Sequence, residues 1–485
     1  MNPFFLAHGD VPFEMPNRAY ARFEQSEPAD TLEEEQALFM FSAVSADWFD
    51  RQENSMYKLT DARELEAQWE RYWYKLFNTS ADEQRVDPFE PMPFFRYEIS
   101  LTSSDRKAFE AYKYFMGPAF SNNWFHIKRD PNSSVIADVY GNIFGASQGA
   151  SVTTSFLDKK QASPLSAIFS MHSWPAATPK EIVSALATVA QRAVGFAALD
   201  IGQGSATALL DDQQIPFLYH DLGAGVTRNV QTTQTPLSFC WTNNPLIVMS
   251  HWDKDHWAGA LKDNNALKQT WLVPRQTVPP GHIAFANTIL RAGGKLLVWP
   301  TSQTPLAIRL GKNQKLTIGQ CTGIDRNGSC LAIRVDDTNH GEMLHWLATG
   351  DAGYDQLPFA IPGRIAAMTV PHHGAKMTKN KAVPNPATGY SRLLYSFGPG
   401  NAHGRTNVRH PTADSVAEHQ NNGWDPGAWR SVSNPGSTIA GSDILATASH
   451  SSTHLGGVIA GWTGAPRVQQ LPCGGSRCST QIRNS

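Results

Sequence analysis

"NPLIVMSHWDKDHWAG", residues Asn244 to Gly259, joins a continuous apolar run to a cluster of ionisable side chains. The run Leu246–Met249 is bounded by Asn-Pro on one side and polar residues on the other. That pattern suits a short strand buried on both faces, as in layered α/β architectures. The cluster that follows places His251, Asp253, Asp255 and His256 within six positions, among Trp252, Lys254 and Trp257. Charges packed among large apolar side chains must be paired or metal-bound to be tolerated. In an extended loop, residues 251, 253 and 255 would face one side and 256 another, an arrangement suited to two adjacent cations. The bland alternative is a solvated polar loop.

The same grammar recurs around this stretch. "GFAALDIGQGSATALL" reads as strand, glycine turn, strand, and "PFLYHDLGAG" as a strand ending at Asp221. Farther on, "MLHWLATGDAG" is an apolar run ending in Asp351. "AAMTVPHHGAK" ends in His372 and His373, and "LLYSF" leads to His403 and His410. Three separate runs thus terminate in candidate ligands, where rigid strands position side chains on loops.

In order, "LDIGQGSATALL", "HDLGAG", "SHWDKDHWAG", "NGSCLAIRV", "TGDAG", "VPHHG" and "GNAHGRTNVRHP" resemble the metallo-β-lactamase fold hydrolases. The likeness is greatest to the metal-dependent domain of ComEC-type competence proteins. It covers about residues 195–430 and implies a four-layer αβ/βα sandwich with metals at one edge. It matches His251, Asp255 and His256 to the first metal motif, with Asp253 where most members carry a second histidine. Asp351 matches the bridging aspartate and His372 the ligand of the HHG motif, with His373 as orienting or alternate ligand. His410 matches the late histidine, a ligand of metal or of substrate phosphate. The family's middle histidine has no counterpart, although His282 and His345 lie in that interval.

The cofactors so implied are two divalent metal ions. Exchanging imidazole for Asp253 favours manganese or magnesium, with zinc still compatible. The activity implied is that of a phosphodiesterase or nuclease, with Asp255, His373 and His410 as catalytic groups and a metal-bridged hydroxide attacking phosphorus. The partner is then a phosphodiester, nucleic acid or nucleotide. Hydrolysis of another ester, a lactone or an amide on the same scaffold is the alternative. A third reading is an effector or toxin-like module whose N-terminal domain docks a partner protein.

The remaining residues bound these readings. A chain of 485 residues is long for one core, and two domains are expected. We expect an unassigned α+β N-terminal domain at 1–190, a hydrolase domain at 191–470 and a tail at 471–485. "ELEAQWERYWYKLF" carries Leu65, Trp69, Tyr72, Trp73 and Leu76 at helical spacing behind Thr60 and Asp61, a pattern of core packing. "TPKEIVSALATVAQRAV" opens with a capping box of Thr178 and Glu181 and predicts a helix to about Arg192. A net charge of −2 supplies no overall cationic field for nucleic acid. Cys240, Cys321 and Cys330 read as reduced, and Cys473 and Cys478 are too isolated to mark a metal or disulfide framework. Neither a signal peptide nor a membrane span is evident, which predicts a cytoplasmic protein.

Overall fold

Alternation along the first strands sets two different faces against two different environments. The computed structural model describes residues 1–7, 12–28, 36–58, 61–78, 86–102, 123–376, 383–405, 408–425, 442–449, 453–464 and 482–483. The chain forms two compact units, Met1–Pro175 with Gln276–Leu296 and Ala402–Val408, and Ala176–Arg275 with Leu297–Asn401 and Arg409–Ser485.

In the first unit, β1 (Arg18–Pro28), β2 (Gln36–Ser45), β3 (Phe94–Thr102), β4 (Trp124–Arg129), β5 (Ile136–Tyr140) and β6 (Gln148–Phe156) close into a barrel. Its order is β1-β2-β3-β5-β6-β4, and every neighbouring pair is antiparallel. One face of these strands supplies a shared apolar core that includes Ala21, Phe41, Tyr97, Phe125 and Val139. The opposite face carries Arg22, Glu24, Ser42, Arg96, Glu98 and Asp138, which are buried as well. The segment around the helix Pro280–Arg291 meets it: Arg22 donates to the Val278 carbonyl, and Gly281 N–H to Ser42 Oγ. Arg405 forks onto Asp138 at 2.6 and 3.1 Å. In the helix Ala62–Asn78, Asp61 caps the first turn, and Leu65, Trp69, Trp73 and Leu76 are buried. Thr60 lies outside the described residues.

The second unit is built on two sheets. The first combines β7 (Gly195–Ala198), β8 (Thr207–Leu210), β9 (Pro216–His220), β10 (Leu246–Val248), β11 (Thr270–Val273) and β12 (Lys295–Val298). The other contains β13 (Leu306–Arg309), β14 (Gln314–Gln320), β15 (Leu331–Asp337), β16 (Leu344–Ala348), β17 (Arg364–Thr369), β18 (Ser391–Tyr395) and β19 (Ser442–Ala446). β20 (Gly457–Ala460) and β21 (Ile482–Arg483) extend the first sheet beyond β7. One apolar core draws on both sheets, with Phe196, Leu218 and Leu246 from one and Leu316, Ile333 and Trp346 from the other.

Parallel pairing explains the uninterrupted apolar runs. β9, β10 and β11 run parallel, as do β16, β17, β18 and β19, and all five residues of β9 and of β16 are buried. The capping box at Thr178 forms, and Ile182 and Leu186 of Pro179–Val189 join the core. That helix stops three residues short of Arg192. Ala190 turns to extended backbone, and Ala193 is then pinned by paired hydrogen bonds to Gln314. Among the described residues, Cys240, Cys321 and Cys330 form no disulfide, while Cys473 and Cys478 lie outside them. Among those residues, no helix is long and apolar enough to cross a membrane.

Candidate metal centre

The His/Asp cluster begins where β10 ends, and two glycine turns determine how closely it seats. The Asp255 carbonyl accepts from Ser205 N–H, and the His256 carbonyl from Leu222 N–H. A Cβ on Gly223 would fall 1.8 Å from the Asp255 oxygen, and one on Gly204 2.5 Å from it. Glycines at these two points allow backbone to pack on backbone, which accounts for "GQG" and "LGAG".

The loop is not extended throughout. Lys254–His256 form a 3-10 turn, which swings His256 back toward His251 and brings their ring centres to 4.1 Å. The strict alternation expected of 251, 253 and 255 is lost for this reason. Asp351 arrives from the end of β16, and His372 and His373 from the end of β17. Both histidines adopt left-handed backbone, with φ of 47° and 53°. For residues with a Cβ this costs roughly 1–2 kcal/mol each.

Two groups of three potential ligands result among the described residues: His251, His256 and Asp351, and Asp255, His256 and His373. Each imidazole is oriented from behind. His256 Nδ1 lies 2.8 Å from Asp221 Oδ2, His251 Nδ1 3.0 Å from Ser250 Oγ, and His373 Nδ1 donates to the Ser396 carbonyl at 2.9 Å. Such partners fix the tautomer and leave Nε2 to face inward. The inward Nε2 atoms of all three are buried without a hydrogen-bond partner among the described residues.

What those nitrogens do face are carboxylate oxygens. His256 Nε2 is 3.1 Å from Asp351 Oδ1, His373 Nε2 3.2 Å from Asp255 Oδ2, and His251 Nε2 3.6 Å from Asp351 Oδ2. Two donors on one cation, each bonded at about 2.1 Å, stand roughly 3.0–3.4 Å apart in octahedral or tetrahedral arrangement. The spacing and the misdirected hydrogen-bond geometry therefore fit a divalent cation.

The same groups keep one another charged. Burial opposes ionisation of Asp351, but His256, His372 and His251 around it outweigh that and hold it well below the usual carboxylate range. Burial likewise opposes charge on Asp255, and the contact with His373 keeps it low. His256 resists its own burial because Asp351 and Asp221 flank it, raising its pKa well above the ordinary value.

The other candidates fall as follows. His372 is partly exposed, with Nε2 3.6 Å from Asp351 Oδ2. His410 is buried with its ring centre 5.5 Å from that of His372, and its backbone is clasped by Asn401. Asp253 turns one oxygen toward His251 at 3.4 Å and the other onto Arg326 Nε at 2.7 Å. His345 is occupied by Asp336 and Gly363 N–H, and His282 lies on the helix Pro280–Arg291, 3.4 Å from Glu24. His403 belongs to the segment Ala402–Val408 of the barrel unit. Asp221, Ser250 and Arg326 were not foreseen as site residues. Only Asp221 carried a sequence signal, a carboxylate ending a buried strand before a glycine turn.

No family profile and no curated protein matches the chain. Among solved structures it is similar to the short form of human tRNase Z, at 13% identity over 36% of this chain and 76% of that one, TM-score 0.24. A metal-dependent hydrolase of the β-lactamase superfamily gives 10% identity, 47% and 93% coverage, and 0.24. Zinc-bound PqqB from Methylobacterium extorquens gives 13%, 34% and 59%, and 0.21. TM-scores this low identify the chain with none of them.

Proposed function

We propose that this chain is a divalent-metal-dependent hydrolase of phosphodiesters, acting on nucleic acid or nucleotides, with its two-sheet unit built as a metallo-β-lactamase-type sandwich. The observation that carries the reading is the convergence, from three strand ends, of buried imidazole nitrogens without hydrogen bonds and the carboxylates of Asp255 and Asp351. His251, Asp255, His256, Asp351 and His373 hold the cations, with His372 reaching Asp351 from the more exposed side. Bound there, a divalent cation supplies Lewis-acid polarisation of the scissile group and neutralises an anionic substrate. Asp221, Ser250 and the Ser396 carbonyl keep the imidazoles aimed. His372 and His410, whose ring centres lie 5.5 Å apart, would deliver a proton to the leaving oxygen. Carboxylates among the holders suit Mn²⁺ or Mg²⁺, and the histidines suit Zn²⁺.

The test compares bis(p-nitrophenyl) phosphate with a p-nitrophenyl carboxylic ester and a lactone, using metal-loaded protein and the Asp255→Ala variant. The Asp255 side chain is 26% exposed, so we expect its removal to spare the fold. We expect phosphodiester turnover that falls at least about 100-fold in the variant, while the unfolding temperature holds. Turnover of the ester or lactone alone would support the other hydrolase chemistry.

A further inference from the structure

The two ligand groups are not equivalent, and Arg326 is the reason. Both groups draw on His256. Its Nδ1 is committed to Asp221, so a single nitrogen remains and it serves one cation. When His256 serves the side of Asp255 and His373, the other side is left with His251, the far oxygen of Asp351, and Asp253. Asp253 belongs to neither group of converging ligands. Its Oδ1 lies 2.7 Å from Arg326 Nε, and both side chains are nine-tenths buried or more.

Arg326 is built into place. It rides a tight turn between β14 and β15, in which Gly323 N–H donates to the Gly328 carbonyl and Ser329 N–H to the Asp325 carbonyl. Asp325 Oδ1 accepts from Gly328 N–H, and Thr322 N–H anchors the turn to the Gln356 carbonyl. The guanidinium is a permanent positive charge, so it attracts the Asp253 carboxylate beside it and repels a cation at the same place.

We propose that Arg326 is a built-in counter-cation: it claims Asp253 and keeps the His251-side position weak, so the chain holds one cation tightly and a second only loosely. This rests on the metal-site reading above. Arg326 acts here as a positioning residue, through Asp253.

The test is Mn²⁺ content and titration calorimetry on the full chain, stripped with chelator, reloaded and desalted. Wild type should retain about one equivalent. Arg326→Gln should retain about two, with the weaker site tightened about tenfold or more, as removal of one unit charge at this range allows. Arg326→Lys, which keeps the charge, should stay near one. Equal content and affinity in wild type and Arg326→Gln would overturn the proposal while leaving a metal site in place. Absence of bound Mn²⁺ from all three would overturn the metal reading itself. If Arg326→Gln fails to fold, Asp253→Asn decides: retention of the tight equivalent supports the proposal, and its loss overturns it.

Discussion

The barrel and the candidate metal centre both bury charge, but they neutralise it differently. On the outer face of the barrel, Arg96 lies 3.0 Å from Glu98 and 3.4 Å from Glu24, and Arg405 forks onto Asp138. Each anion there meets a cation supplied by the protein. At the ends of β10, β16 and β17, imidazole nitrogens and carboxylates approach to 3.1–3.6 Å without forming hydrogen bonds. A network that satisfies itself is the structural norm, whereas donors that face a common centre without bonding call for an explanation, which the proposed cation supplies.

Three variants probe that contrast, beginning with the largest effect. Arg96→Met strips a cation from buried carboxylates, and we expect a loss of about 3–5 kcal/mol in urea unfolding. A loss under 1 kcal/mol would mean the barrel charges are not coupled. The next case is His419, a buried histidine of the two-sheet unit that is satisfied on both sides. Its Nδ1 donates to the Ser415 carbonyl and its Nε2 accepts from Tyr354 OH. Burial pushes its pKa down from 6.5 to about 4. The folded state then resists protonation that the unfolded chain accepts, so stability is full above pH 6.5 and declines toward pH 4, by about 3 kcal/mol in all. His419→Gln should flatten that slope; an unchanged slope would assign it to other groups. The smallest effect is at Asp221. Replacing it with Asn loosens His256, and Mn²⁺ affinity should fall about 10–100-fold with little change in the metal-free fold. Unaltered affinity would remove Asp221 from the site.

How much of this was legible in the chain depends on how local each cause is. The strands ending in His251, Asp351 and His372–His373 announce themselves, because parallel burial demands apolar runs and the polar break after each is abrupt. The barrel is less visible. Arg22, Glu24 and Arg96 look like a solvent face, and the helix that meets part of it comes from Pro280–Arg291, some 250 residues away. The roles of His372 and His373 depend on two consecutive left-handed residues, which the pair itself does not encode. Arg326 sits in "DRNG", which reads only as a turn, and its partner Asp253 lies 73 residues earlier. The alternation inferred for residues 251–255 failed because the turn at Lys254–His256 is set by packing against Gly204 and Gly223.

The most direct measurement is anomalous diffraction at the manganese edge from crystals of the metal-loaded protein. We expect a dominant peak within about 2.3 Å of His256 Nε2 and of carboxylate oxygens from Asp255 or Asp351, with His373 Nε2 alongside. A map with no peak among these residues, or with the cation bound elsewhere on the chain, would contradict a metal centre at the ends of β10, β16 and β17.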